Sequence, residues 1–88
     1  MTCYIVSYDL REPGRNYEAL YEAIRSYELW AHVNESVWAV VTGKKAVQVR
    51  DHLTSYIDAN DRILVVRSGA EGAWRNAMCE DDWLKKHL

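Results

Sequence analysis

Two stretches of this chain carry apolar residues at three- and four-residue steps, and each is set between runs of β-formers. In the first run, Cys3, Ile5 and Ser7 alternate with Tyr4, Val6 and Tyr8. Both sets are largely apolar, which predicts a strand inside a sheet, buried on both faces. Pro13-Gly14 stops it, and Asn16 is placed to cap a helix over 16–27 whose stripe is Tyr17, Leu20, Tyr21, Ile24 and Tyr27. Glu18 and Glu22 face water at the positive end of that helix. β-formers return over 29–42, broken by the polar pair Asn34-Glu35. The reading is two strands, 30–33 and 36–42, joined by a tight turn or a bulge. Thr42 then caps a second helix with Ala46, Val49, Leu53, Tyr56 and Ile57 on one face, ended by Asp58-Ala59-Asn60-Asp61. Residues 62–67 form a further strand with a doubly apolar interior. Residues 68–72 are a flexible exit, and a short docked helix starts near Asp81 in a stretch holding Trp74, Met78, Trp83, Leu84 and Leu88.

The order β-α-β-β-α-β, with two right-handed crossovers, places two helices on one face of a four-stranded antiparallel sheet. This is the ferredoxin-like arrangement of an α+β domain. At 88 residues the chain is one domain, with a core over about 2–67 and a tail over about 68–88. The second sheet face is expected to lie bare, and a symmetric homodimer through it is the expected remedy.

Hydrophobic residues at 49% and charged residues at 27% are those of a folded globular protein. No apolar stretch approaches a bilayer span and no signal-peptide pattern opens the chain, so the expectation is a cytoplasmic protein without a membrane partner. Cys3 and Cys79 stand apart with no C-x-x-C spacing and are read as reduced structural thiols. A net charge of −2 argues against a surface that coats nucleic acid as a whole and leaves room for a local basic patch. No Gly-rich phosphate loop, Gly-x-Ser-x-Gly elbow or His-Glu-x-x-His helix occurs, which removes the nucleotide-hydrolase, serine-hydrolase and zinc-protease classes. His32, His52 and His87 have no ligand spacing to one another, so they do not suggest zinc.

The chemistry-bearing stretch is the end of the first strand. Asp9 closes it, and the loop that follows brings Arg11 and Arg15 beside the carboxylate. The plain structural reading of Asp9 is a turn cap or an ion pair with Arg11 or Arg15. The functional reading of the two arginines is a bidentate grip on phosphate. Lys44 and Lys45 stand where the helix dipole disfavours cations, which hints at an anion, although solvated charge is the simpler account. Tyr8 and Trp38 suit base stacking or a sheet core. Trp74-Arg75-Asn76 either covers the site or seals the core.

Tyr8-Asp9, Arg11 and Arg15, the helix ending at Tyr27 and the segment Val33-Asn34-Glu35-Ser36-Val37-Trp38 resemble the Cas-two family of small CRISPR-associated proteins, and the related VapD-type ribonucleases, over roughly 2–67. The resemblance implies a ferredoxin-like homodimer in which Asp9 of each copy approaches the two-fold axis and ligates Mg2+ or Mn2+. It further implies phosphodiester hydrolysis in RNA or DNA, with Asp9 catalytic and Tyr8, Arg11, Arg15 and Ser36 contacting substrate. Some family members are non-catalytic scaffolds, so the alternative is a homodimeric scaffold or regulator that binds nucleic acid or a protein partner. His32 falls where the family often has arginine, a departure that weakens a phosphate contact there. Independently of the family, Mg2+ keeps several waters and takes one or two carboxylates plus phosphate, so two facing Asp9 side chains are a sufficient protein contribution.

Overall fold

β1 (Thr2–Asp9) lies inside the sheet, paired antiparallel with β3 (Val37–Thr42) on one side and β4 (Arg62–Arg67) on the other. β2 (Leu29–Asn34) pairs antiparallel with β3, and the strand order is β2-β3-β1-β4. The computed structural model describes residues 1–11 and 17–88; Asn16 and Arg15 lie outside the described residues. Among the described residues three helices complete this small α+β fold: α1 (Glu18–Arg25), α2 (Ala46–Thr54) and α3 (Asp81–His87).

The two helical stripes do what their spacing dictates. Leu20 and Ile24 of α1 and Val49 and Leu53 of α2 are fully buried against Tyr4, Val6, Tyr8, Trp38 and Val40, one face of the sheet. Tyr17 and Tyr27 are buried at the two ends of the α1 stripe, and Glu18 and Glu22 face water. α1 stops at Arg25 rather than Tyr27, where the Ser26 hydroxyl donates to the Ala23 carbonyl and closes the last turn. Two side chains hold the start of α2: the Thr42 hydroxyl accepts from the Lys44 N–H at 3.3 Å on the approach, and the Gln48 side chain accepts from the Lys45 N–H at 2.8 Å. α2 also ends early, so Tyr56 falls outside it and is 36% exposed.

Glu35-Ser36 is a two-residue turn, and the pairing His32↔Trp38 followed by Asn34↔Val37 makes Val33 an extra residue. Turn and bulge are therefore both present. The Val33 carbonyl accepts from the Met78 N–H at 2.8 Å.

That contact opens the largest departure from expectation. The second sheet face is not bare, because the chain's own tail lies on it. Leu84 of α3 is fully buried with Ala31, Val33 and Ala39, and Cys3, Ile5, Val37, Trp74, Trp83 and Leu88 pack around them. The Ser68 N–H donates to the Cys3 carbonyl at 2.8 Å, carrying the chain off β4, and the Trp74 indole donates to Asp81 at 3.1 Å. Asn76 takes a φ of 55° in the bend before α3, a left-handed conformation that asparagine tolerates. Acidic residues open α3 and Lys85, Lys86 and His87 close it, matching its dipole. Burial pushes the Cys3 and Cys79 thiols up from their ordinary pKa.

The cover is partial. β4, whose interior is apolar on both faces, is an edge strand with Leu64 58% and Val66 43% exposed. Among the described residues no helix is long and apolar enough to cross a membrane.

Candidate functional site

The antiparallel register sets Asp9 opposite Arg62, Ser7 opposite Leu64 and Ile5 opposite Val66, so these six side chains share one sheet face. Among the described residues Asp9 pairs with Arg62 of β4 and not with Arg11. Arg62 Nη1 donates to Asp9 Oδ2 at 2.7 Å, with both side chains more than half exposed. A pair so wet contributes about 0–1 kcal/mol. Ser7, Tyr8, Asp9, Arg62, Ile63 and Leu64 line a shallow hollow of about 160 Å³, and Arg62 also borders a second opening of about 310 Å³ with Arg11 and Asn60.

Asp61 organises this end of the molecule. Its carboxylate accepts from the Arg11 backbone N–H at 2.7 Å, from the Tyr17 hydroxyl at 3.0 Å and from the Asp58 N–H at 2.8 Å. One side chain thus ties the exit of β1, the approach to α1 and the entry to β4. Asp61 looks in sequence only like a helix terminator, because partners 44 and 50 positions away leave no local spacing signal.

Of the other expected site residues, Ser36 is exposed in the β2–β3 turn, and its carbonyl accepts from the Tyr8 N–H at 3.1 Å. Tyr8 itself is a core residue. Its hydroxyl accepts from the Trp38 indole at 3.0 Å and donates to the Glu35 carbonyl at 3.3 Å, with 7% of the residue exposed. Trp38 is buried between the imidazole of His32, stacked at 4.0 Å, and the ring of Tyr21, with the Arg25 guanidinium 5.6 Å from its centroid. Neither ring presents a face on which a base could stack. Lys44 and Lys45 lie beyond Thr42, which pairs with Thr2 at the opposite end of β1 from Asp9.

Burial is the main cause pushing the Tyr8 hydroxyl from an ordinary 10 up to about 12. Between those values the unfolded chain gives up this proton while the folded chain keeps it. Stability should therefore be whole below pH 10 and fall as pH rises to 12. In urea titrations across that window, Tyr8→Phe should lose stability less steeply than the parent; parallel slopes would contradict the burial of the hydroxyl.

The three histidines are each engaged by aromatic rings: His32 by Trp38, His52 by Tyr27 and Tyr56, and His87 by Trp83. Among the described residues no group of three or more His, Cys, Asp or Glu is arranged to hold a metal ion. Among the described residues the hollow at the end of β1 offers the single carboxylate of Asp9, already engaged on Oδ2, which is fewer oxygen ligands than a hard cation takes. The chain matches no family model and no solved structure.

Proposed function

We propose that the chain acts on nucleic acid as a homodimer and hydrolyses phosphodiester bonds in RNA or DNA, in the manner of the Cas-two and VapD-type proteins it resembles. The observation that carries this reading is the exposed Asp9 carboxylate at the end of a central strand, with the guanidinium of Arg62 on it and Arg11 beside the neighbouring opening. The strand order β2-β3-β1-β4, with α1 and α2 on one face, supports the ferredoxin-like arrangement. Leu64 and Val66 support self-association, because they leave an apolar strip on the same face as Asp9 and beside an open sheet edge. Two copies meeting on that strip about a two-fold axis set one Asp9 toward the other.

In such a dimer the two Asp9 carboxylates are the ligands for Mg2+ or Mn2+. When bound, the ion supplies charge neutralisation at the phosphate and a water of lowered pKa. Arg11 holds a flanking phosphate, Arg62 pairs with the carboxylate while the site is empty, and the exposed Ser36 hydroxyl is available to substrate. Arg15 shares the loop of Arg11 and is proposed for the same role from sequence alone.

A second reading, a non-catalytic homodimeric scaffold or regulator, is favoured by the 2.7 Å ion pair that already occupies Asp9 and by the net negative charge. The purified chain and its Asp9→Asn form are to be compared on labelled RNA and DNA with Mg2+, Mn2+ or a chelator. Cleavage that disappears with the substitution and with the chelator is the expected result. Equal residual cleavage by both forms sinks the hydrolase and leaves the scaffold.

A further inference from the structure

We infer that Arg11, Asn60 and Arg62 form a phosphoryl-binding cleft, and that Arg62 leaves Asp9 to bind the phosphoryl group. The inference deepens the nucleic-acid reading of this site and rests on it for the role of Asp9. Three observations carry it. Arg11 and Asn60 border an opening of about 310 Å³, and Arg62 is common to that opening and to the hollow that holds Asp9. The backbone of Arg11 is anchored on Asp61 at 2.7 Å, yet among the described residues no carboxylate pairs with its guanidinium. The Arg62–Asp9 pair is so exposed that swapping partners costs little.

The ligand chemistry follows from the donors. Two residues with planar guanidinium forks and one with an amide N–H2 line the same opening, and a tetrahedral phosphoryl group has oxygens enough to accept from both forks at once. A lone carboxylate such as Asp9 occupies Arg62 but leaves Arg11 and Asn60 unused. Occupation of the cleft therefore pulls Arg62 away and exposes both Asp9 oxygens. An anion bound here and a cation bound at Asp9 then favour each other, since each removes the other's competitor.

The test is binding of inorganic phosphate without metal, followed by phosphorus NMR, in the parent, Arg62→Gln, Asp9→Asn and the double variant. All the substituted side chains are exposed, and circular dichroism checks that each variant folds. Arg62→Gln should weaken binding roughly tenfold or more. Asp9→Asn should tighten it severalfold by freeing Arg62, and that gain should vanish in the double variant. A parent that binds no phosphate, an Arg62→Gln form that binds as well as the parent, or an Asp9→Asn gain that survives without Arg62 overturns the inference. A short single-stranded oligothymidylate tested alongside identifies the source of the group. The same rank order points to a nucleic-acid backbone, and a response to inorganic phosphate alone points to a free phosphate. No step of this test depends on cleavage, so a failed hydrolase and a failed cleft are told apart.

Discussion

Leu84→Ala should cost about 2–5 kcal/mol, the range for emptying a fully buried leucine site that collapses only in part. Leu84 has no exposed surface and sits among Ala31, Val33 and Ala39, small side chains that cannot swing in to refill the space. A chain of 88 residues is expected to hold only about 4–13 kcal/mol of net stability, so this one side chain accounts for a large share of it. Urea unfolding at fixed protein concentration should give a lower midpoint at an unchanged slope. Removal of residues 68–88 should go further. It strips the cover from Cys3, Ile5, Val37 and Ala39 together, and the shortened chain should unfold or associate through that face, seen as a rise in light scattering. A truncated chain that stays folded at the parent's molecular mass, or a Leu84→Ala cost below about 1 kcal/mol, would mean that the tail does not hold the sheet.

The α1 and α2 stripes and the interior place of β1 were legible because each depends on a local period, and Leu20, Ile24, Val49 and Leu53 are all fully buried. The short helix near Asp81 was legible for the same reason. Its target was not, since nothing in the spacing of Trp74, Trp83 and Leu84 says which surface they meet. A face expected to need a second copy is covered in large part from within, while Leu29 at one edge and the strip with Leu64 and Val66 at the other stay exposed. That strip was hidden too, because Ile63 to Val66 reads as equally apolar whether β4 is central or at an edge.

At the site, Asp9 and Arg11 could be singled out from strand-end and loop chemistry. Arg62 could not, since the pair spans 53 positions and exists only through the β1–β4 register. Tyr8 was open to two readings. An aromatic residue beside a strand-end carboxylate suits a base-stacking site as well as a core, and only the Trp38 indole on its hydroxyl and its burial separate the two. The departure at His32 acquires a physical account as well. Its imidazole lies flat on Trp38 at 4.0 Å and meets the Glu35 carbonyl at 3.1 Å, so the position serves the aromatic stack rather than a phosphate.

Trp38→Ala is expected to cost about 3–5 kcal/mol, the range for deleting a large buried aromatic side chain. Trp38 is 1% exposed and is the largest of the fully buried side chains. It faces Val6 across the ladder, stacks on His32 and Tyr21, lies under the Arg25 guanidinium and donates its indole N–H to Tyr8. Deleting it opens a cavity walled by rings whose own positions depend on the stack, so Tyr21 and His32 should loosen together with it. Tyr8 keeps the Glu35 carbonyl as a partner, which limits the polar part of the loss. Trp38→Phe separates the contributions: it keeps most of the stacking surface and loses the indole N–H, and about 1–3 kcal/mol is expected for it. A double-mutant cycle of Trp38→Phe with Tyr8→Phe, read from urea midpoints, should then give a coupling of about 0.5–1.5 kcal/mol for the indole–hydroxyl contact. Additive costs in that cycle would mean that the 3.0 Å contact holds no energy of its own and that Tyr8 is fixed by packing alone. The end of β1, and Asp9 with it, would in that case be positioned by the apolar core without help from the buried hydrogen bond.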